Sequence, residues 1–178
     1  MRESELYDKL AASIVAATEE VFSTMLGMEI HAESSYLDHK ASRPTDGVVS
    51  LIGLAGSWVG TGSIACSAEL ACKISSQFLM SEYEAVNEEV LDAIAELTNM
   101  IIGNVKTMIE EELGPLGLSI PTVVFGRNFT TLTIGTHDWT IVPSRCGEER
   151  LEVNICLTKA KQEVHVRPGF ASPTAVGN

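Results

Sequence analysis

Apolar residues recur at helical spacing at the start of the chain. Leu6, Leu10, Ile14, Ala17 and Val21 follow one another at steps of 4, 4, 3 and 4, which lays one apolar stripe along a helix. Phe22 and Met25 widen the stripe and Gly27 supplies a stop, so a first helix is expected over residues 3–26. Residues 28–36 (MEIHAESSY) alternate loosely and suit a strand, whereas LDHKASRPTDG is polar and turn-rich and suits a loop. Two β-like runs come next, VVSLIGLAG and WVGTGSIACSA, meeting near Gly56 and Ser57 as a hairpin. Leu70, Ile74, Phe78 and Leu79 then mark a short helix at about 68–80.

Residues 86–113 carry the strongest helical pattern. At about 1.5 Å per residue this helix would span about 42 Å, and Gly114 and Pro115 end it. On a helical wheel Val90, Ile94, Leu97, Ile101, Val105 and Met108 gather on one side. Asp92, Glu96, Asn99, Gly103, Lys106 and Glu110 gather on the other. The first set is expected to pack on a sheet and the second to line an open spine. Three more β-like runs follow: TVVFG, FTTLTIGTHDWTIVPS and RLEVNICLTKA.

These elements predict an α+β fold: two layers, about six mostly antiparallel strands, and long helices on one face. Short turns between consecutive strands argue against a parallel doubly wound sheet. One domain over residues 1–166 is expected, with 167–178 as a frayed tail. The strand character of RLEVNICL makes residues 145–160 a candidate sheet edge.

Composition narrows the function. A 178-residue chain can bury roughly 70% of its unfolded surface, so it needs no metal or disulfide to fold. The net charge of −12 repels phosphate backbones and anionic lipid, so neither nucleic acid nor membrane is an expected partner. Cys66, Cys72, Cys146 and Cys156 form no CxxC pair and read as reduced core thiols. MRESELYDKL has no apolar h-region, and a reduced, cytoplasmic setting is expected.

Several chemistries lack their residues. GLAGSWVGTGS has glycines but no Lys-Ser/Thr ending, so it reads as a hairpin and not a P-loop. No Cys-x5-Arg run and no GxSxG elbow is present. His31, His39, His137 and His165 are scattered, which disfavours a zinc site.

Glu96 and Asn99 stand three apart, so both side chains leave one helix face within reach of a single ligand. Alone, that spacing suits a solvated face as well as a site. Gly103, one turn on, is open to two readings: a tolerated glycine, or a place where something approaches the backbone. Company strengthens the pair: Asp92 stands four before Glu96, and Pro121 twenty-two after Asn99.

The run DAIAELTNMIIGNVKTMIEEELG followed by SIPTVVFG resembles the CheC/CheX/FliY family of chemotaxis phosphatases. The family signature is an acidic or serine residue, then ExxN, then a proline, and it falls here on Asp92, Glu96, Asn99 and Pro121. VFSTMLGMEI and VVSLIGLAGSWVGTGSIACSAELACKI extend the resemblance to the CheX branch, from about residue 8 to residue 158. CheC-type chains carry the signature twice. Here the matching face of the first helix offers Glu19, Glu20, Phe22 and Ser23 without an Asn, so the first half looks catalytically empty.

The resemblance implies a phosphatase acting on the aspartyl phosphate of a CheY-like response regulator in chemotaxis or related two-component signalling. Asn99 would position water, and Glu96 would contact a lysine of the regulator. Asp92, Gly103 and Lys106 would contribute to partner binding. An acyl phosphate is already activated, so a held water and stabilised charge suffice. No cofactor of its own is implied; magnesium would sit on the partner. The resemblance also implies a homodimer. The competing expectation is a non-catalytic receiver- or motor-binding module of the same fold.

Overall fold

The computed structural model describes residues 2–39, 44–130 and 138–160. Helix α1 (Glu3–Val21) buries Leu10, Ile14, Ala17 and Val21, the stripe expected from the sequence. It continues as a π-helical turn, Phe22–Leu26, closed by Gly27 at φ 62° with its N–H on the Phe22 carbonyl. Helix α2 (Ala68–Leu79) starts at Ser67, whose Oγ accepts the Leu70 N–H at 3.0 Å. Helix α3 (Glu88–Leu113) starts at Asn87, whose Oδ1 accepts the Val90 N–H at 3.0 Å. It stops at Gly114, where φ is +80° and the N–H still reaches Glu110 O at 2.9 Å. Pro115 then bars continuation.

Eight strands are found among the described residues, two more than expected. They are β1 (His31–Ala32), β2 (Tyr36–Asp38), β3 (Pro44–Gly56), β4 (Trp58–Cys66), β5 (Leu116–Leu118), β6 (Thr122–Thr130), β7 (Trp139–Cys146) and β8 (Glu149–Lys159). The strand expected at 28–36 becomes β1 and β2, and β5 was too short to show alternation. The loop expected at LDHKASRPTDG gives its ends to β2 and β3. Its middle, residues 131–137 of the run FTTLTIGTHDWTIVPS, and the tail expected at 167–178 lie outside the described residues.

The strands form one antiparallel sheet in the order β1-β7-β8-β4-β3-β5, with β2 also on β7 and β6 also on β3. The β3–β4 hairpin turns at Ser57, as expected from its glycines. RLEVNICL is not an edge. β8 pairs with β7 on one side and β4 on the other, because strand character reports a pleated, half-buried setting and not a neighbour count.

All three helices share one core with the inward residues of β3, β4 and β8: Val48, Ile52, Ile64, Val153 and Ile155 lie against Ile14, Ile74, Ile94 and Ile101. Gly62 on β4 lets α3 settle closely, since a Cβ there would stand 3.0 Å from the Ile102 side chain. A second, small cluster joins Trp139, Ile141, Cys156 and Tyr36. The cysteines are all free thiols, and three of the four are buried. No helix among the described residues is long and apolar enough to cross a membrane.

Candidate functional site

Helix α3 separates its two faces as the wheel requires. Val90, Ile94, Leu97, Ile101 and Val105 are fully buried against the sheet and neighbouring helices. Met108 is half-buried. Asp92, Glu96 and Asn99 are exposed on the outer face, and Gly103, Lys106 and Glu110 are half-buried further along it. Glu96 and Asn99 sit mid-helix, where the backbone is fully paired and contributes no free N–H. Neither side chain is engaged by a hydrogen bond or ion pair among the described residues. A carboxylate and a carboxamide one turn apart are therefore both free to meet a ligand.

The far end of the stripe is a clasp. Lys106 Nζ lies 2.9 Å from Glu110 Oε1, and the same oxygen accepts the Leu116 N–H at 2.8 Å. The Leu116 amide, and after it the Lys106 side chain, hold the Glu110 carboxyl below its ordinary value. Lys106, expected to touch a partner, is turned to its own helix. Gly103 is not required by the fold: a Cβ there would meet only Leu118 Cδ1, at an ordinary 3.9 Å.

The link between β5 and β6, which follow one another along β3 with a one-residue slip, is pinned as well. The Gly53 N–H donates to Ser119 Oγ at 2.8 Å, and the Ser119 N–H donates to Gly53 O at 2.9 Å. Ser119 Oγ in turn donates to Ile120 O at 3.0 Å. Pro121 follows, half-buried. Neither the clasp nor this pinned link was visible in the sequence, although the spacing to Pro121 pointed at the segment that holds the second.

The matching face of α1 has a different content. Glu19, Glu20 and Ser23 are exposed, and the Ser23 and Thr24 hydroxyls bond back to Glu20 O at 3.1 and 2.7 Å. A groove lined by Leu6, Tyr7, Trp58, Thr158 and Lys159 lies by the start of α1 and takes no side chain from α3. Among the described residues no three His, Cys, Asp or Glu side chains converge as a metal site would need.

The outer face of α3 is open to solvent at Asp92, Glu96 and Asn99. A small molecule would stay largely solvated there, because ligand sites for small molecules are concave. Such a face can act on a group that arrives in a partner's own cavity, adding two side chains to what the partner already supplies.

Residues 48–143, more than half of the chain, match the chemotaxis phosphatase CheX family. This chain belongs to that family. The CheY-P phosphatase CheX of Thermotoga maritima is 33% identical over 89 residues, which make up 49% of this chain and 57% of that protein. The matched stretch thus spans less than two thirds of that relative. Two solved CheX structures share the fold over nearly their whole length. Chemotaxis protein CheX from Vibrio vulnificus superposes with a TM-score of 0.73 at 26% identity, covering 84% of this chain and 99% of that one. CheX in a complex with CheY, beryllium fluoride and magnesium from Borrelia burgdorferi gives 0.70 at 26% identity, covering 83% and 97%. The eight-stranded antiparallel sheet with helices on one face is the CheC/CheX-like fold. The segment of the CheX-family match includes all of α3, both strands of the β3–β4 hairpin from Val48 on, and the pinned link between β5 and β6.

Proposed function

We propose that this chain hydrolyses the aspartyl phosphate of a CheY-like response regulator. The observation that carries this reading is the pairing of Glu96 and Asn99 on the solvent-facing side of α3. Membership of the CheX family and a CheX relative solved with CheY support it. In the reaction a water oxygen attacks phosphorus, the bond to the aspartate oxygen breaks, and the carboxylate leaves. The Asn99 carboxamide accepts from that water and holds it in line. It is no base, and an acyl phosphate with a good leaving group needs none. Glu96 meets a cationic side chain of the receiver, which fixes the two molecules in register. Asp92 extends the acidic edge, and Gly103 leaves room beside it. The receiver brings its own magnesium and the cavity around its phosphoryl group, and charge stabilisation arises there. The proposed setting is the cytoplasm.

We also propose that the chain works as a homodimer. With β8 interior to the sheet, the longest open edge among the described residues is β6, nine residues with a half-exposed Phe125. An open edge of that length is a ready template for pairing.

The deciding experiment measures phosphate release from receiver domains charged with acetyl phosphate. Release above the receiver's own rate, abolished by Asn99→Ala, is expected. Tight binding with no added release would make the chain a docking module instead.

A further inference from the structure

Gly103 stands in the interior of α3, a helix that runs unbroken from Glu88 to Leu113. Glycine is the poorest helix former after proline, because it has the most backbone freedom to lose. The fold offers nothing in return. Gly103 is not among the positive-φ residues, so its conformation suits any L residue. Beyond its chain neighbours and its own helix backbone, a Cβ there would meet only Leu118 Cδ1, at 3.9 Å. Packing therefore does not require the glycine either. Gly62 is the opposite case, since a Cβ there would press on Ile102 at 3.0 Å.

What the missing side chain does is open the surface beside the Glu96–Asn99 pair. On a helix, residues three and four away are surface neighbours. For Gly103 these are Asn99 and Met100 on one side and Lys106 and Thr107 on the other. Helix side chains lean toward the N-terminus, so a side chain at 103 would cover the ground next to Asn99. The residues on the C-terminal side leave that ground clear. Lys106 is drawn the other way, to Glu110 at 2.9 Å, and the Thr107 hydroxyl is turned in to donate to Gly103 O at 3.0 Å. The result is a notch floored by helix backbone, with exposed Asn99 at one end and Leu118 alongside. Its floor carbonyl already has the Thr107 hydroxyl, so the notch offers space and not a hydrogen bond.

We propose that Gly103 is a positioning residue of the phosphatase reaction: its missing side chain lets the receiver domain close on α3 far enough for Asn99 to reach the phosphoryl group. The inference rests on the proposed function and adds the steric condition under which that site works. Asparagine carries its carboxamide on a single methylene. It can act only where the partner's surface comes almost to the helix backbone, because the phosphoryl group lies within the receiver's own cavity. A side chain one turn away would hold that surface off. A displacement of about 1 Å from the productive geometry is enough to cost about 100-fold in rate.

The test compares Gly103→Ala, Gly103→Gln and Asn99→Ala with the parent in three measurements. These are thermal unfolding, titration with a CheY-type receiver domain loaded with beryllium fluoride and magnesium, and turnover of the phosphorylated receiver. Gly103→Ala should raise the unfolding midpoint by about 2–4 °C, since a better helix former replaces glycine where there is room for it. The same variant should lose turnover at least about 10-fold and bind the receiver more weakly, and Gly103→Gln should lose more. Asn99→Ala should lose turnover with binding kept. A gain in stability joined to a loss of activity is an outcome that a packing role does not produce. Gly103→Ala turning over within about 2-fold of an active parent, while Asn99→Ala is inactive, would overturn the inference and leave the proposed function standing. A lowered midpoint alongside lost turnover would make Gly103 a packing residue and reject the inference. So would a loss of turnover that tracks conversion of a dimer to monomers, which would assign the notch to self-association. A parent that neither binds nor hydrolyses the receiver would overturn both readings.

Discussion

Replacing Asn99 by alanine removes a carboxamide that nothing else in the described structure uses. The fold should not notice, and binding to the charged receiver should persist. Turnover should fall at least about 100-fold, equivalent to about 2.7 kcal/mol of transition-state stabilisation. Asn99→Asp should do no better, because it brings negative charge toward an anionic phosphoryl group. Glu96→Ala should weaken association as well as rate, and Glu96→Gln should recover part of the loss through hydrogen bonding. Dephosphorylation measured at several enzyme concentrations separates the two effects. A different residue-scale outcome concerns Cys66. Burial, aided by Glu149 and Cys72, pushes its thiol from 9.0 up to about 12. The folded thiol therefore stays protonated where the unfolded one ionises. Stability from this group is complete below pH 9 and is lost progressively between 9.0 and about 12. Urea unfolding of the parent should weaken more steeply between about pH 8 and about pH 10 than that of Cys66→Val. The same burial should leave Cys66 unreactive toward maleimide until the protein unfolds.

At the scale of elements, the contact between α3 and β4 is sensitive to a single methyl. Gly62→Ala would bring a Cβ to 3.0 Å from Ile102 and should cost about 1–3 kcal/mol in denaturant unfolding. Adding Ile102→Val should return part of that loss, making the pair less damaging than the sum of its singles. How the elements were read from sequence follows from their length and surroundings. Helices α1 and α3 announced themselves because each buries a long stripe on one face, and the β3–β4 hairpin because glycines mark its turn. Strands β1, β2 and β5 have two or three residues each, too few for alternation to register. The open stripe of Asp92, Glu96 and Asn99 was legible because a solvent-facing helix side keeps its period. The bonds through Ser119 were not, because a lone serine in a short link has no period at all.

For the molecule as a whole, order within the sheet was the information least available in the chain. RLEVNICL has the same alternation whether it lies at an edge or, as here, between β7 and β4, since neighbours far away in sequence decide the matter. Moving the free edge from β8 to β6 changes what self-association can use. Light scattering at micromolar concentration should give the mass of two chains; a single-chain mass would exclude the proposed pairing. The Gly114–Pro115 corner has a consequence of another kind. It joins α3 directly to β5, so the Glu110–Leu116 hydrogen bond closes one short loop within a contiguous stretch of chain. Little loop entropy opposes that closure. The pairings at the far end of the sheet, β1 and β2 on β7, join residues more than a hundred positions apart and are the contacts most readily surrendered to local opening. Helix α3 and β5 therefore form one foldable cassette, whose geometry survives fraying at the opposite edge.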